Sequence, residues 1–196
     1  MSSIKPAQFP VINGHIDALK MGSKTLGKVT IRSSRVEKSI IFDELKLTGD
    51  LLAFNGNGKW HQWGSVPEVD VEGSLHVPSM GKALSYFGYQ QIMRQGDMDV
   101  SGYFSWPGSL ADFNKATLEG KISIDIQNGA YLEGKPGAAG RVLGLLNMNA
   151  LARRISLDFS DVHKKGYEFD SIKGDFRLNQ GGAYTENLRI QSPSTR

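Results

Sequence analysis

One five-residue pattern recurs along the chain: an apolar residue, a polar one, glycine, a second polar one and another apolar one. The copies span residues 12–16, 47–51, 71–75, 100–104, 118–122 and 172–176, and in the fourth a tyrosine takes one flanking slot. Residues two apart on a strand share a face, so each glycine is predicted to lie on the apolar, buried face. Glycine inside a strand indicates a bend or a close approach to the backbone. The pattern therefore predicts a strongly curved sheet with an apolar hollow side; bulges in an ordinary packed sheet are the alternative.

Period-two alternation outside these copies predicts further strands, about a dozen in all. Val69, Val71, Leu75 and Val77, for example, share one parity and alternate with polar residues. Turn signals at 55–58, 106–108, 128–129 and 179–182 are predicted to separate the strands. Short connections of this kind make neighbouring strands antiparallel.

Two segments depart from the strand pattern. Residues 79–88 are predicted to form a short helix with Ser79 as its N-cap. Residues 138–154 are predicted to form one helix or two short ones, with an apolar stripe that covers one end of the sheet's apolar face. Because the glycine copies are unevenly spaced, a fixed-period repeat fold is excluded.

The domain prediction is one elongated β module over residues 1–196, with these two segments as helical insertions. Residues 183–192 read as a strand, and the chain stops four residues later without a closing element. We therefore expect it to be a fragment of a larger protein.

Composition narrows the classes of function. The net charge of +3 comes from 23 basic and 20 acidic residues that are interspersed along the chain, which is typical of a solvated polar face and not of a nucleic-acid-binding surface. The chain has no cysteine, so disulfides and thiolate metal sites are excluded. It also has no apolar run long enough to span a bilayer.

Residues that could carry chemistry are few and scattered. The four histidines lie far apart, with His15 and His76 on the polar side of predicted strands. Asp158, Asp161 and Asp170 cluster in sequence, and paired carboxylates can hydrolyse glycosides, but such residues more often form turns. No nucleophile elbow, phosphate-binding loop or calcium loop is present. We predict no enzyme, catalytic residue, metal site or cofactor.

Longer motifs carry a resemblance to a known family. The segments GRVLGLLN (140–147), LARRISLDFSDV (151–162) and KGYEFDSIKG (165–174) resemble the conserved tail region of AsmA-like envelope proteins. Shorter pieces at 45–47, 56–60, 87–89 and 104–108 are similar to the same family. The resemblance extends from about residue 10 to residue 194.

This resemblance implies a place and a cargo. AsmA-like proteins of this kind are anchored in the inner membrane of Gram-negative bacteria and cross the periplasm as a long, taco-shaped β structure. Their hydrophobic groove carries phospholipids toward the outer membrane and supports its permeability barrier. The implied location is therefore the periplasm, and the implied partners are phospholipid acyl chains, the rest of the parent chain and other envelope proteins.

Together, the pattern and the resemblance predict a mainly β, taco-like groove whose apolar face contacts lipid, with glycines that leave room for a sliding acyl chain. A dozen strands would make a channel of about 55 Å. The alternatives are a scaffold module that presents edge strands to a partner chain without lipid conduction, and a carbohydrate-acting enzyme that uses Asp158 and Asp161. The candidate groove residues are Ile12, Ile16, Leu47, Leu51, Val71, Leu75, Val100, Phe104, Leu118, Ile122, Ile172 and Phe176.

Overall fold

A computed structural model describes residues 5–62, 64–89, 93–132 and 167–193. Within these residues the chain forms ten strands and one α-helix, α1 (Met80–Tyr86). The strands are β1 (Asn13–Met21), β2 (Lys24–Val36), β3 (Ser39–Thr48), β4 (Ala53–Gln62), β5 (Pro67–Val77), β6 (Met93–Pro107), β7 (Glu119–Tyr131), β8 (Tyr167–Asn179), β9 (Gly182–Tyr184) and β10 (Arg189–Gln191).

All ten strands belong to one open antiparallel sheet. Its order is β1-β2-β3-β4-β5-β6-β7-β8-β10, and β9 pairs with β8 beside β10. Register shifts in the pairing of β1 with β2, β2 with β3 and β3 with β4 bend these strands. The predicted fold class, a mainly β curved antiparallel sheet, is confirmed. At about 4.8 Å per strand, the nine strands of this path extend about 38 Å, less than the length predicted from a dozen.

The sheet has one apolar and one polar face. The pairing places the residues of the apolar face in rows that run across the strands, at right angles to the chain direction. One row contains Ile40, Trp60, Val69 and Trp106, and the next contains Phe42, Gly58, Val71, Phe104, Gly120 and Leu178. A third contains Gly14, Ile31, Leu45, Gly56, Gly73, Gly102, Ile122 and Phe176. Because the side-chain period of a strand is two, the predicted grouping of glycines with apolar residues follows directly from this register.

Most of the buried side chains of the apolar face lie near the ends of β3, β4, β5 and β6, on one side of the sheet. Ile40, Phe42, Trp60, Val69 and Trp106 form this cluster, which we call the aromatic cluster, and Trp60 is only 1% exposed. The 3-10 turn Pro6–Gln8 leads into Phe9, whose ring packs edge-on against Trp60 at 5.3 Å. A smaller buried cluster joins Phe176 of β8 to Ala183 of β9.

Two predicted turns are wrong. Residues 55–58 lie inside β4, where Asn55 and Asn57 are exposed and Gly56 and Gly58 face apolar-row partners on β5. Residues 128–129 lie inside β7, where Asn128 adopts a φ of 53°. Asparagine tolerates this left-handed conformation and is therefore common in hairpin turns. Here the same conformation is a local irregularity, and the strand continues past it.

The helix predicted over 79–88 is confirmed as α1. The side chain of Ser79 accepts a hydrogen bond from the backbone N–H of Lys82, as an N-cap does. The helical segment predicted over 138–154 lies outside the described residues.

Candidate functional site

A continuous apolar row crosses the middle of the sheet and is the most distinctive surface of the molecule. We call it the apolar stripe. Its members come from eight consecutive strands, and except for the terminal glycine all are apolar. The stripe consists of Ile16, Val29, Leu47, Phe54, Leu75, Val100, Ile124 and Gly174.

The neighbouring row on the opposite face shows the reverse chemistry. It consists of His15, Thr30, Lys46, Asn55, Ser74, Ser101, Ser123 and Asp175, all of them polar. Each stripe residue is thus adjacent in sequence to a polar residue that points the other way. Such a clean division places one face in water and leaves the other suited to apolar contact.

The stripe is only partly covered by the described residues. Val29, Leu47, Phe54, Leu75, Val100 and Ile124 are half-buried, and Ile16 is 48% exposed. A contiguous apolar surface that stays accessible is typical of a ligand-binding groove or an interaction site.

The structure brings most of the predicted groove residues onto one face. Ile16, Leu47, Leu75 and Val100 lie on the stripe itself, and Ile172 lies in the row on its far side together with Val77, Met98 and Ile126. Ile122 and Phe176 lie in the row next to the stripe, and Val71 and Phe104 lie in the following row, which also contains Phe42 of the aromatic cluster.

Other predicted groove residues have different surroundings. Leu51 lies in the turn between β3 and β4, and Ile12 directly precedes β1, with its carbonyl accepting a bond from the Ser33 N–H at 2.9 Å. Leu118 packs against the aromatic cluster. Phe176 is 4% exposed, because it belongs to the buried cluster with Ala183.

Phe54 is a stripe residue that the sequence analysis did not propose. Its ring lies over two glycines: a Cβ built on Gly56 would be 2.7 Å from it, and one on Gly73 would be 2.8 Å from it. Treating residues 55–58 as a turn removed Phe54 from the predicted strands. The alternation of asparagine and glycine after Phe54 is the signal that indicates a strand here. It places the polar asparagines on one face and the small glycines on the face of Phe54.

The glycines of the recurring pattern do not form one vacant track. Leu188 lies 3.3 Å from a Cβ built on Gly174, and Phe54 covers Gly73, whereas a Cβ on Gly14 would meet nothing within 4 Å. At Gly102 and Gly120 the constraint is the backbone itself, with φ of 150° and 153° and a neighbouring carbonyl about 2 Å from the built Cβ. Glycine is therefore needed at these two positions for conformation and close strand approach.

The aromatic cluster closes one long side of the stripe. The indole N–H of Trp60 donates to the Gly108 carbonyl at 3.1 Å, and that of Trp106 donates to the Ser109 carbonyl at 3.0 Å. The Phe113 ring packs edge-on against Trp106 at 5.2 Å. Because both indole N–H groups are hydrogen-bonded and the rings pack against one another, the aromatic cluster forms a well-packed side wall of the groove.

The polar face carries close contacts between histidine and aspartate side chains. His76 Nδ1 lies 3.0 Å from Asp99 and 3.5 Å from Asp97, and His61 Nε2 lies 2.7 Å from Asp70. His15 and His76 lie on this face as predicted. Asp170 is exposed in β8, while Asp158 and Asp161 of the hydrolase alternative lie outside the described residues.

Asp175 links three elements of the polar face, and its titration is a first testable prediction. Hydrogen bonds from Ser123, and then from Asn187, hold the pKa of the Asp175 carboxyl below its usual value. A carboxyl whose pKa is lower when folded stabilises the protein above its unfolded pKa, and this contribution is lost as pH falls through the folded value. We expect Ser123→Ala to raise the pKa of Asp175, measured by carboxyl NMR titration, and Ser101→Ala on the adjacent strand to leave it unchanged.

Among the residues that the structure describes, no helix is long and apolar enough to cross a membrane. The strand pairing and the exposure of the stripe define the class of protein: an open, curved antiparallel sheet with one accessible apolar face.

Comparisons with known proteins identify the family of the chain. A family model described as "YhdP protein" matches residues 1–196, and the chain therefore belongs to the YhdP family. Over 153 residues it is 28% identical to the protein described as "Intermembrane phospholipid transporter YhdP" from Escherichia coli (strain K12). The alignment covers 76% of this chain and 12% of that relative, so the chain spans about an eighth of the relative's length. Comparison with solved structures gives no significant match.

Proposed function

We propose that this chain is one segment of an inner-membrane-anchored bridge in the periplasm that carries phospholipids between the inner and outer membranes. In this role it supports the permeability barrier of the outer membrane. The observation that carries the proposal is the apolar stripe, which crosses eight strands on an accessible face. The relative described as an intermembrane phospholipid transporter supports the choice of cargo.

The stripe has the physical properties that a lipid track needs. Acyl methylenes that leave water gain about 0.8 kcal/mol each, so contact with an apolar row is favourable along its whole length. Leu75, Val100 and Ile124 offer similar contacts on the successive strands β5, β6 and β7, which lie about 4.8 Å apart, so no single position forms a deep trap. Transport along such a row needs passive partition and no chemical step.

The direction of the stripe predicts how the cargo lies. Because the row runs across the strands, an acyl chain bound along it lies perpendicular to the strands, parallel to the direction in which they are stacked. The aromatic cluster flanks it on one side, and α1 flanks it on the other. The polar face remains in water.

Site-specific photocrosslinking tests the proposal directly. A benzophenone amino acid placed at Leu75 or Val100 is expected to crosslink phospholipid when the chain is incubated with phosphatidylethanolamine and phosphatidylglycerol vesicles. The same probe at Ser74 or Ser101, one residue away on the opposite face, is the matched control. Equal lipid adducts at both members of each pair would contradict a lipid-binding face.

A scaffold module without lipid conduction is the second candidate. The open edge of the sheet favours it, because β1 is almost entirely exposed and carries Ile16 and Met21 at 48% and 53% exposure. Native mass spectrometry of the purified chain separates the two functions. Phospholipid that copurifies with the chain supports transport, and protein–protein complexes free of lipid support the scaffold.

A further inference from the structure

We propose that α1 is a hinged side wall of the groove, latched to β2 by Lys24 and Tyr86, and that its opening admits a phospholipid acyl chain from the side. This inference rests on the proposed function, because it concerns how lipid reaches the apolar stripe.

The helix lies beside the strand ends on the side of the sheet opposite the aromatic cluster. Its first residue, Met80, is close to Gly96 of β6, next to Ile126 on the apolar face: a Cβ built on Gly96 would lie 3.4 Å from Met80 and 3.6 Å from Ile126. From β6, the helix reaches a contact on β2, four strands away in the sheet order. It therefore passes the ends of β3, β4 and β5.

The attachment of α1 to β6 is a tight packing contact. Gly81 and Ala83 are buried, and a Cβ built on Gly81 would lie 2.7 Å from the Met93 carbonyl oxygen and 3.0 Å from the Gln95 nitrogen. Helix backbone and strand backbone thus approach each other with no room for a larger side chain. This end of the wall is the fixed one.

The attachment to β2 consists of one exposed hydrogen bond, one partly buried hydrogen bond and cation–π contacts. The Tyr86 hydroxyl donates to the Thr25 carbonyl at 3.0 Å, and the ammonium group of Lys24 donates to the Tyr86 carbonyl. The same ammonium group lies 5.2 Å from the centre of the Tyr86 ring and 5.7 Å from that of Phe87. These contacts involve flexible side chains and lack the close backbone packing that fixes the other end of the helix.

The packing contact with β6 is therefore the hinge, and the weaker contact with β2 is the latch. Losing one exposed hydrogen bond shifts an opening equilibrium by about three- to tenfold. The stripe residue on the latch strand itself is Val29, four residues after Thr25, and Leu47 pairs with it on β3. Swinging α1 away from β2 would open this side of the groove to an acyl chain that approaches from the side.

Locking the latch tests the proposal. Since the chain has no cysteine, Lys24→Cys with Tyr86→Cys can be joined by a cleavable bismaleimide without side reactions. We expect the locked 196-residue chain to exchange pyrene-labelled phosphatidylglycerol with vesicles at least about fivefold more slowly, and reductive cleavage of the linker to restore the rate. Tyr103→Cys with Lys121→Cys, which pair across β6 and β7, is the matched control and should not slow exchange once linked.

Releasing the latch gives the complementary test. Tyr86→Phe removes the hydroxyl and keeps the ring, so it should accelerate lipid exchange about three- to tenfold and accelerate amide hydrogen exchange in α1 to a similar extent. Tyr103→Phe, on a tyrosine that is 52% exposed, is the control.

The outcomes separate the latch from the proposed function. Lipid exchange that the locked pair leaves at the rate of the control pair overturns the side-wall proposal while lipid binding stands. If the unmodified chain takes up no pyrene lipid, the proposed function fails and the lateral-entry proposal fails with it. In that case, faster amide exchange of α1 in Tyr86→Phe would still identify a latch of another use.

Discussion

Replacing Gly102 with alanine is expected to lower the free energy of unfolding by about 2–4 kcal/mol. Gly102 has a φ of 150°, and an added Cβ would lie 2.1 Å from the Lys121 carbonyl oxygen and 2.7 Å from the Ile122 Cα. The substitution thus combines an unfavourable backbone conformation with a clash against the backbone of β7, which cannot move without disturbing its pairing with β8. The measurement is the urea unfolding midpoint together with its slope.

Gly14→Ala is the matched control for this prediction. Gly14 has the same position in the recurring pattern, but an added Cβ there meets nothing within 4 Å. We expect this variant to stay within about 0.5 kcal/mol of the unsubstituted chain. Equal losses at both positions would show that the glycines act through general strand propensity and not through the local conformation of Gly102.

The faces of the strands were predictable from the sequence, because side-chain alternation is a local property. The recurring pattern correctly placed Gly73, Gly102 and Gly120 in apolar rows, and the pairing of the strands confirms it. The N-cap at Ser79 was predictable for the same reason, since it depends on the residues immediately around it.

What the glycines do could not be predicted from the sequence. Two copies of the same pattern place Gly14 beside open space and Gly102 against a neighbouring carbonyl, because the difference lies in how closely the adjacent strand approaches. Likewise, the apolar character of Phe176 does not reveal that β9 covers it. These properties depend on contacts between segments that are distant in sequence.

The side walls of the groove were also beyond local reasoning. The latch joins Lys24 to Tyr86, 62 residues apart, and the Trp60 indole reaches Gly108 across 48 residues. Neither pair has a sequence signature. The apolar stripe, by contrast, needs only the alternation pattern and a constant register, so its central members Leu75 and Val100 were among the predicted residues.

Val100→Asp is expected to weaken phospholipid binding at least about tenfold, which corresponds to about 1.4 kcal/mol. Val100 lies between Leu75 and Ile124 at the middle of the stripe. An ionised carboxylate there must either lose hydration against an acyl chain or keep its water and interrupt the contact, and both outcomes disfavour bound lipid. The measurement is the amount of phospholipid that copurifies with the chain, together with the vesicle concentration at half-maximal binding.

Ser101→Asp introduces the same charge one residue away, between Ser74 and Ser123 on the polar face, and should leave lipid binding unchanged. Circular dichroism and the thermal unfolding midpoint establish that both variants are folded. Val100→Thr keeps nearly the shape of valine but replaces one methyl group by a hydroxyl, so a smaller loss in this variant would separate the effect of polarity from that of unfolding. If Val100→Asp is folded and binds as much phospholipid as Ser101→Asp, the cargo does not contact the apolar stripe, and the groove has to be assigned to the protein–protein role suggested by the open edge at β1.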